Sequence, residues 1–200
     1  MEIKAKIEYG KLKKLVEEMS KKYSVKVGLL AGKGADDLTD SGITYAHLGT
    51  IQEFGADIKI TPKMAAYLAI TARELGLPKL EAKGDGYIHI PARSFLRMPL
   101  TTKNRVVKEL KKQLDANEEE IINYIAKNAD FQTLAIMLGA SAVEVVNEAF
   151  QSAGFGEWQP NSPFTIAMKG SALPLTGRGK ENDAAGHLKQ RITYEVKKDG

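Results

Sequence analysis

Hydrophobic positions near the start of the chain recur first with a helical period and then with a strand period. Between residues 9 and 23 the apolar side chains are three or four positions apart, with lysines and glutamates between them, which predicts an amphipathic helix. Its apolar face consists of Leu12, Leu15, Val16 and Met19. Residues 24–31 (SVKVGLLA) then alternate apolar with smaller or polar side chains, as in a half-buried strand.

Four shorter elements are predicted between residues 45 and 91, and the second of them is a brief strand after Gly55. The segment YAHLGTIQEFG predicts a helix that ends near Gly55, where glycine can take the left-handed cap conformation. Thr61 as N-cap and Pro62 in the first turn predict the start of a second helix. The segment GYIHIPA alternates like a strand, and Pro91 should end it or lie on a sheet edge because proline cannot donate a ladder hydrogen bond.

Helical periodicity then continues over residues 101–152. Apolar residues recur with a helical spacing from 101 to 128 and again from 131 to 152, with a break around 128–130. Two helices in a hairpin and one long kinked helix both fit this pattern.

Prolines and glycines become frequent in the last quarter. Ser162 is a candidate N-cap for a short helix in SPFTIAMKG, and RITYEVK predicts a closing strand with Ile192, Tyr194 and Val196 on one face. Residues 170–184 have little to bury, so we expect a long exposed loop there.

Composition indicates a soluble globular protein. The 200 residues are 43% hydrophobic and 27% charged, which suits one large domain or two small ones. The absence of cysteine excludes disulfides and thiolate metal sites and fits a cytosolic origin. The first residues are too charged for a secretion signal, and we find no apolar run near the ~20 residues that span a bilayer, so no membrane partner is expected.

The net charge of +4 favours encounters with anionic partners. Basic and acidic residues are nevertheless interleaved almost everywhere, whereas proteins that bind DNA irrespective of its sequence cluster their positive charge. A DNA-contacting basic module is therefore kept as the alternative function.

No catalytic motif is evident. His47, His89 and His187 lack the spacing of metal ligands. Gly32, Lys33 and Gly34 are followed by alanine and two aspartates rather than the Ser or Thr of a phosphate-binding loop. The acids at 118–120 fit a solvated helix face. We expect neither enzymatic activity nor a cofactor.

Three separated parts of the sequence match one family together. They are YAHLGTIQEFGADIKI, then ITPKMAAYL with IHIPARSFLR, then WQPNSPFTIAMKGSALPL with GHLKQRITYEV. In this order they resemble the phage tail-completion or virion morphogenesis family, which includes minor tail protein Z-like and neck proteins of long-tailed phages and prophages. The resemblance covers residues 25–196, with the helical middle matching in pattern only. The matching positions are Glu53, Phe54, Gly55, Pro62, Lys63, Met64, Pro91, Trp158, Pro160, Pro163, Lys169, Gly170, Pro174, Leu175, Gly186, Leu188 and Tyr194.

One part of the chain departs from the family pattern. The usual compact Pro-Leu…Thr-Gly-x-Leu segment is extended here to PLTGRGKENDAAGHL, and Ala185 stands where threonine commonly precedes the glycine.

The resemblance implies an α+β structural protein of the virion, without catalysis or a cofactor. Such a protein would act at the head-proximal end of the tail or in the neck, mediating tail completion and head–tail joining. Its partners would be copies of itself in a ring, expected to be a hexamer, together with tail tube or tail terminator proteins and the head connector, and DNA in passing. It would be assembled in the host bacterial cytoplasm and reside in the virion.

With the elements above, the resemblance predicts a single α+β domain over residues 1–200. A small mixed or antiparallel sheet should pack against amphipathic helices, with the helical segment at 101–152 and the exposed loop at 170–184.

A ring subunit must present different faces to its two neighbours, and the segment after Pro91 offers candidate contacts. Arg93 and Arg97 can donate to carboxylates of a neighbour, or they are solvated. Phe95 and Leu96 are either interface anchors or core residues. If this segment is a helical turn, both arginines share one surface, and we predict that they hold a neighbouring subunit or ring.

Overall fold

A computed structural model describes residues 2–39, 41–78, 86–102, 104–114, 118–175 and 188–199, without the side chains of residues 2–10 and 118. The helices are α1 (Glu2–Ser20), α2 (Tyr45–Phe54), α3 (Pro62–Glu74), α4 (Arg97–Thr101), α5 (Arg105–Leu114), α6 (Glu118–Asn128), α7 (Phe131–Gln151) and α8 (Pro163–Lys169). The strands are β1 (Tyr23–Leu29), β2 (Ala56–Lys59), β3 (Tyr87–Ile90) and β4 (Ile192–Lys198).

Two small antiparallel sheets confirm the α+β prediction. In the first, β1 pairs with β4, from Tyr23 opposite Lys198 to Leu29 opposite Ile192. In the second, β2 pairs with β3, from Ala56 opposite Ile90 to Lys59 opposite Tyr87.

The long helix α7 is the centre of the fold, since β1, β4, α1, α4, α5 and α6 all pack against it. Its first half belongs to a core cluster with residues of α1, α5 and α6, namely Leu12, Met19, Leu110, Leu114, Ile122, Ile125, Leu134 and Ala135. Its second half belongs to another cluster, namely Tyr45, Phe95, Val146, Ala149, Phe150, Trp158, Leu188 and Ile192. The predicted apolar face of the first helix thus enters the core.

Among the described residues, α7 is the one helix long and apolar enough to cross a membrane. The expectation that no run reaches that length is therefore wrong for Phe131–Gln151. Half of its apolar window is buried within the subunit, as is usual for a helix packed on several sides.

Local sequence signals correctly predicted the starts of two helices and the end of one strand. The side chains of Thr61 and Ser162 accept hydrogen bonds from Met64 N and Thr165 N and so cap α3 and α8. β3 ends at Ile90, directly before Pro91 as predicted.

Three further predictions about the secondary structure need correction. The segment 101–128 is not one helix: Asn104 has a positive φ of 54° between α4 and α5, and α6 is separate. Gly55 has φ 79° and ψ 173° rather than the left-handed helical geometry. A Cβ at Gly55 would lie 2.7 Å from the carbonyl oxygen of Ile90, so glycine is required where α2 meets the end of β3.

The third correction concerns the predicted exposed loop. Its described part, 170–175, is not simply exposed, because Pro174 is buried and Leu175 packs against the second core cluster. The rest of that prediction, residues 176–184, lies outside the described residues.

Candidate functional site

The carboxylate of Glu53 holds the segment that follows β3. Glu53 is the next-to-last residue of α2 and is 5% exposed. Its Oε2 accepts hydrogen bonds from the backbone N–H groups of Phe95 and Leu96, at 2.8 and 2.9 Å. Its Oε1 accepts from the Ser94 hydroxyl at 2.6 Å and from the N–H of Arg97 at 3.1 Å. Four donors therefore converge on one buried anion at the start of α4, an arrangement that compensates the cost of burying its charge.

Arg93 connects the same segment to residues 159–161. Its Nε donates to the carbonyl of Gln159 at 2.9 Å, and its Nη2 donates to the carbonyl of Pro160 and to Oδ1 of Asn161, both at 3.3 Å. The backbone N–H of Arg93 donates to the carbonyl of Gln52 at 2.7 Å. Only 7% of the residue is exposed, and this desolvation lowers the pKa of its guanidinium.

Asn161 carries the connection further, to the segment after α8. Its amide Nδ2 donates to the carbonyls of Ala172 and Leu173, at 3.3 and 3.1 Å. Lys169 Nζ donates to the same Leu173 carbonyl at 3.4 Å. Burial, and then the nearby charge of Arg93, lower the pKa of Lys169. The side chains of Arg93 and Lys169 thus donate mainly to backbone carbonyls.

An aromatic cluster packs beneath these hydrogen bonds. The rings of Phe95 and Phe150 have centroids 5.4 Å apart, and Trp158 meets Phe150 edge-on at 5.7 Å. Trp158 Nε1 donates to the carbonyl of Ser94 at 3.2 Å. Gly154 has φ 68°, and a Cβ there would lie 2.3 Å from the indole of Trp158. Glycine is therefore needed at this position for Trp158 to pack against Phe150 of α7.

An open cleft of about 520 Å³ lies between α2, β1 and α4, and Glu53 is one of its lining residues. Its lining is mostly apolar and includes Val27, Leu29, Leu30, Leu96 and Leu100. At its rim Phe54 is 62% exposed, and the Arg97 guanidinium lies 5.5 Å from the centre of its ring. Arginine and aromatic side chains are enriched at protein interfaces, so this rim is a candidate contact surface.

The four predicted interface residues separate into different environments. Arg97 is exposed on α4, as an interface role requires. Arg93 is not exposed, and its side chain is used within the subunit, which corrects the prediction for that residue. The two arginines do not share a helical surface, because the helix begins only at Arg97. Phe95 is fully buried, and Leu96 is partly buried and lines the cleft.

The residues that carry the family resemblance meet only in part. Those in or beside the network described above are Glu53, Phe54, Gly55, Pro91, Trp158, Pro160 and Lys169. Leu175 and Leu188 pack on the second core cluster, and Pro174 is buried. The remaining described ones lie in α3 (Pro62, Lys63, Met64), at the two ends of α8 (Pro163, Gly170) and in β4 (Tyr194). Gly186 lies outside the described residues.

The described residues include no group of three or more His, Asp or Glu side chains that could hold a metal ion. His47 is exposed on α2. His89 lies opposite Asp57 on the paired strands, with Nδ1 2.6 Å from Oδ1. His187 lies outside the described residues.

Sequence reasoning missed the partners of Glu53 and the role of Asn161. One signal was available for Glu53, since a carboxylate in the last turn of a helix opposes the helix dipole and therefore suggests a tertiary partner. Asn161 carried no such signal, because its partners come from a different loop.

Comparisons of the chain with protein-family models, with curated proteins and with solved structures gave no match.

Proposed function

We propose that the protein is a structural component of a phage-like virion that completes the tail or forms part of the neck and mediates head–tail joining. In this role it assembles as a ring, which we expect to be a hexamer, at the head-proximal end of the tail. Its partners are then tail tube or tail terminator proteins and the head connector.

One observation carries this proposal. The three stretches that resemble the family are far apart in the sequence, yet hydrogen bonds join a part of each of them to the others. Glu53 of the EFG stretch holds residues 94–97, and Arg93 of the next stretch holds residues 159–161. A coincidental match of unrelated segments gives no reason for them to meet, whereas residues that maintain one fold should do so.

The chemistry of this network also favours a structural role. The charged groups of Glu53 and Arg93 are buried and hydrogen-bonded within the chain, whereas a catalytic acid or base must reach a substrate. The network stiffens the wall of the cleft, and a stiff wall suits a surface that joins rigid subunits.

The test is assembly and head–tail joining. The mass of the purified protein in solution, with negative-stain images, should reveal closed rings that form with rising concentration. In a phage or prophage that encodes this chain, its deletion should leave filled heads and separate tails, and added purified protein should restore joining. Rings that never form, together with normal virions after deletion, would refute the proposal.

A DNA-contacting module is the second candidate. Lys22, Lys197 and Lys198 are all exposed near one end of the β1–β4 sheet, although Asp199 lies beside them. This function predicts DNA binding that weakens steeply with salt, and substitution of the three lysines by glutamine should reduce that slope. Ring formation indifferent to DNA favours the structural role.

A further inference from the structure

Helix α3 presents to solvent a stripe of two large apolar side chains flanked by a lysine and a glutamate. Lys63, Tyr67, Ile70 and Glu74 follow one another at intervals of four, three and four residues, so they lie along one side of the helix. We call these four residues the α3 stripe. Tyr67 is 57% exposed and Ile70 is 60% exposed. The side of α3 that is buried within the subunit is a different one, containing Thr71 and Ala72.

The α3 stripe is not covered by the rest of the described chain. Helix α3 makes no extensive contact with another described helix or strand. Two large apolar side chains that are adjacent on one helix and more than half exposed are typical of a helix that docks into a groove.

The cleft between α2, β1 and α4 has the properties of such a groove. It is open and lined mainly by aliphatic side chains. The carboxylate in its wall, that of Glu53, already accepts four hydrogen bonds. Small-molecule sites use a few free polar groups to orient the ligand, and the lining offers no free carboxylate for this. An apolar helix face is therefore a better occupant than a small polar molecule.

The cleft rim and the α3 stripe carry opposite charges, those of Arg97 and Glu74. Arg97 lies at the cleft rim and forms no ion pair with a described residue, its one aromatic partner being Phe54. Glu74 likewise has no ion pair within the described chain. Glu74 is four residues, or about 6 Å along the helix, beyond Ile70. When Ile70 enters the cleft, Glu74 can therefore reach an arginine at its rim.

We propose that copies of this chain join head to tail, with the α3 stripe of one copy lying in the cleft of the next. Tyr67 and Ile70 occupy the apolar cleft, and Glu74 pairs with Arg97 of the neighbouring copy. When each copy uses its stripe with one neighbour and its cleft with another, the contact is heterologous, and it closes into a ring when the rotation between copies allows. This inference rests on the proposed ring assembly and identifies the surfaces that form it.

Complementation between defective subunits tests the contact. A stripe variant, Tyr67→Ser with Ile70→Ser, keeps its cleft, and a cleft variant, Thr50→Trp, keeps its stripe, since Thr50 is an exposed residue of the lining. Each variant alone should stay monomeric, with at least about tenfold weaker assembly than wild type. Mixed together they should form a 1:1 dimer and nothing larger, because only one intact stripe and one intact cleft can meet.

A charge exchange and cysteine crosslinking provide independent checks. Glu74→Arg and Arg97→Glu should each impair assembly, and the double variant should recover it, whereas the exposed control Glu120→Arg should assemble normally. The chain has no cysteine of its own. A mixture of Tyr67→Cys and Thr50→Cys subunits should therefore yield an oxidised dimer, and Tyr124→Cys with Thr50→Cys should not.

The outcomes separate this inference from the proposed function. Wild-type rings together with stripe and cleft variants that also form rings would overturn the contact and leave the ring intact. Folded variants whose mixture stays monomeric would also overturn it, in favour of a symmetric contact or another partner. A wild-type chain that is monomeric at every concentration would refute ring assembly itself.

Discussion

Glu53→Gln is the substitution that tests the central network most directly, because it removes the charge and replaces one carboxylate oxygen with an NH₂ group while keeping the shape of the side chain. The amide oxygen can keep the two N–H donors of Phe95 and Leu96. The amide nitrogen then faces the N–H of Arg97 and the Ser94 hydroxyl. The hydroxyl can rotate to accept, whereas the Arg97 N–H loses its acceptor.

The expected cost follows from these four bonds. A buried donor left without a partner costs about 1–3 kcal/mol, and each bond that loses its charged acceptor weakens by about 1 kcal/mol. With one unpaired N–H and two weakened bonds, we expect the free energy of unfolding to fall by about 3–5 kcal/mol. Typical domains have about 5–15 kcal/mol in total, so the variant should fold but with a much lower denaturation midpoint.

Urea denaturation at neutral pH, followed by circular dichroism and by Trp158 fluorescence, measures this difference. Glu120→Gln is the matched control, because Glu120 is exposed on α6, and a substitution there should change stability by no more than about 0.5 kcal/mol. A Glu53→Gln variant within about 1 kcal/mol of wild type would show that the four hydrogen bonds do not hold the start of α4 in solution.

Three further comparisons follow from the same region. Phe95→Ala should lower the free energy of unfolding by about 3–5 kcal/mol, since the ring is fully buried. Phe54→Ala, at the exposed rim of the cleft, should change it by no more than about 0.5 kcal/mol. Equal effects of the two variants in chemical denaturation would contradict this. Arg93→Lys should lower the free energy of unfolding by about 2 kcal/mol, because lysine cannot reproduce the forked contacts to residues 159–161. Arg97→Glu should keep a wild-type melting temperature and lose assembly. A destabilised Arg97→Glu variant would argue against the exposed position of Arg97. Gly154→Ala should destabilise by about 1–3 kcal/mol through a strained positive φ and a clash with the indole, and thermal unfolding equal to wild type would refute that strain.

Much of the fold could be predicted because its signals are local. The caps of α3 and α8 depend on a threonine or serine and an N–H three residues later, so a short window of sequence contains the whole interaction. The same is true of β3, whose end is fixed by the proline that follows it.

The parts that could not be predicted depend on distant partners. Arg93 and Arg97 look equivalent in the sequence, yet one is buried and the other exposed. The difference arises because Arg93 meets carbonyl groups 66 and 67 positions further along the chain. The periodicity of hydrophobic residues does not reveal the interruption at Asn104 either, because helical spacing continues on both sides of it.

The pairing of β1 with β4 has a consequence for how the chain is made. It joins residues as far apart as Ser24 and Asp199, which are hydrogen bonded across 175 positions. On a ribosome that adds about 5–20 residues per second, β1 waits for its partner strand while residues 30–191 are made. Until then its edge and the facing side of α7 remain open to other chains or to a chaperone. A ribosome that stops before β4 therefore releases a subunit without a finished sheet, which quality control can remove before assembly begins.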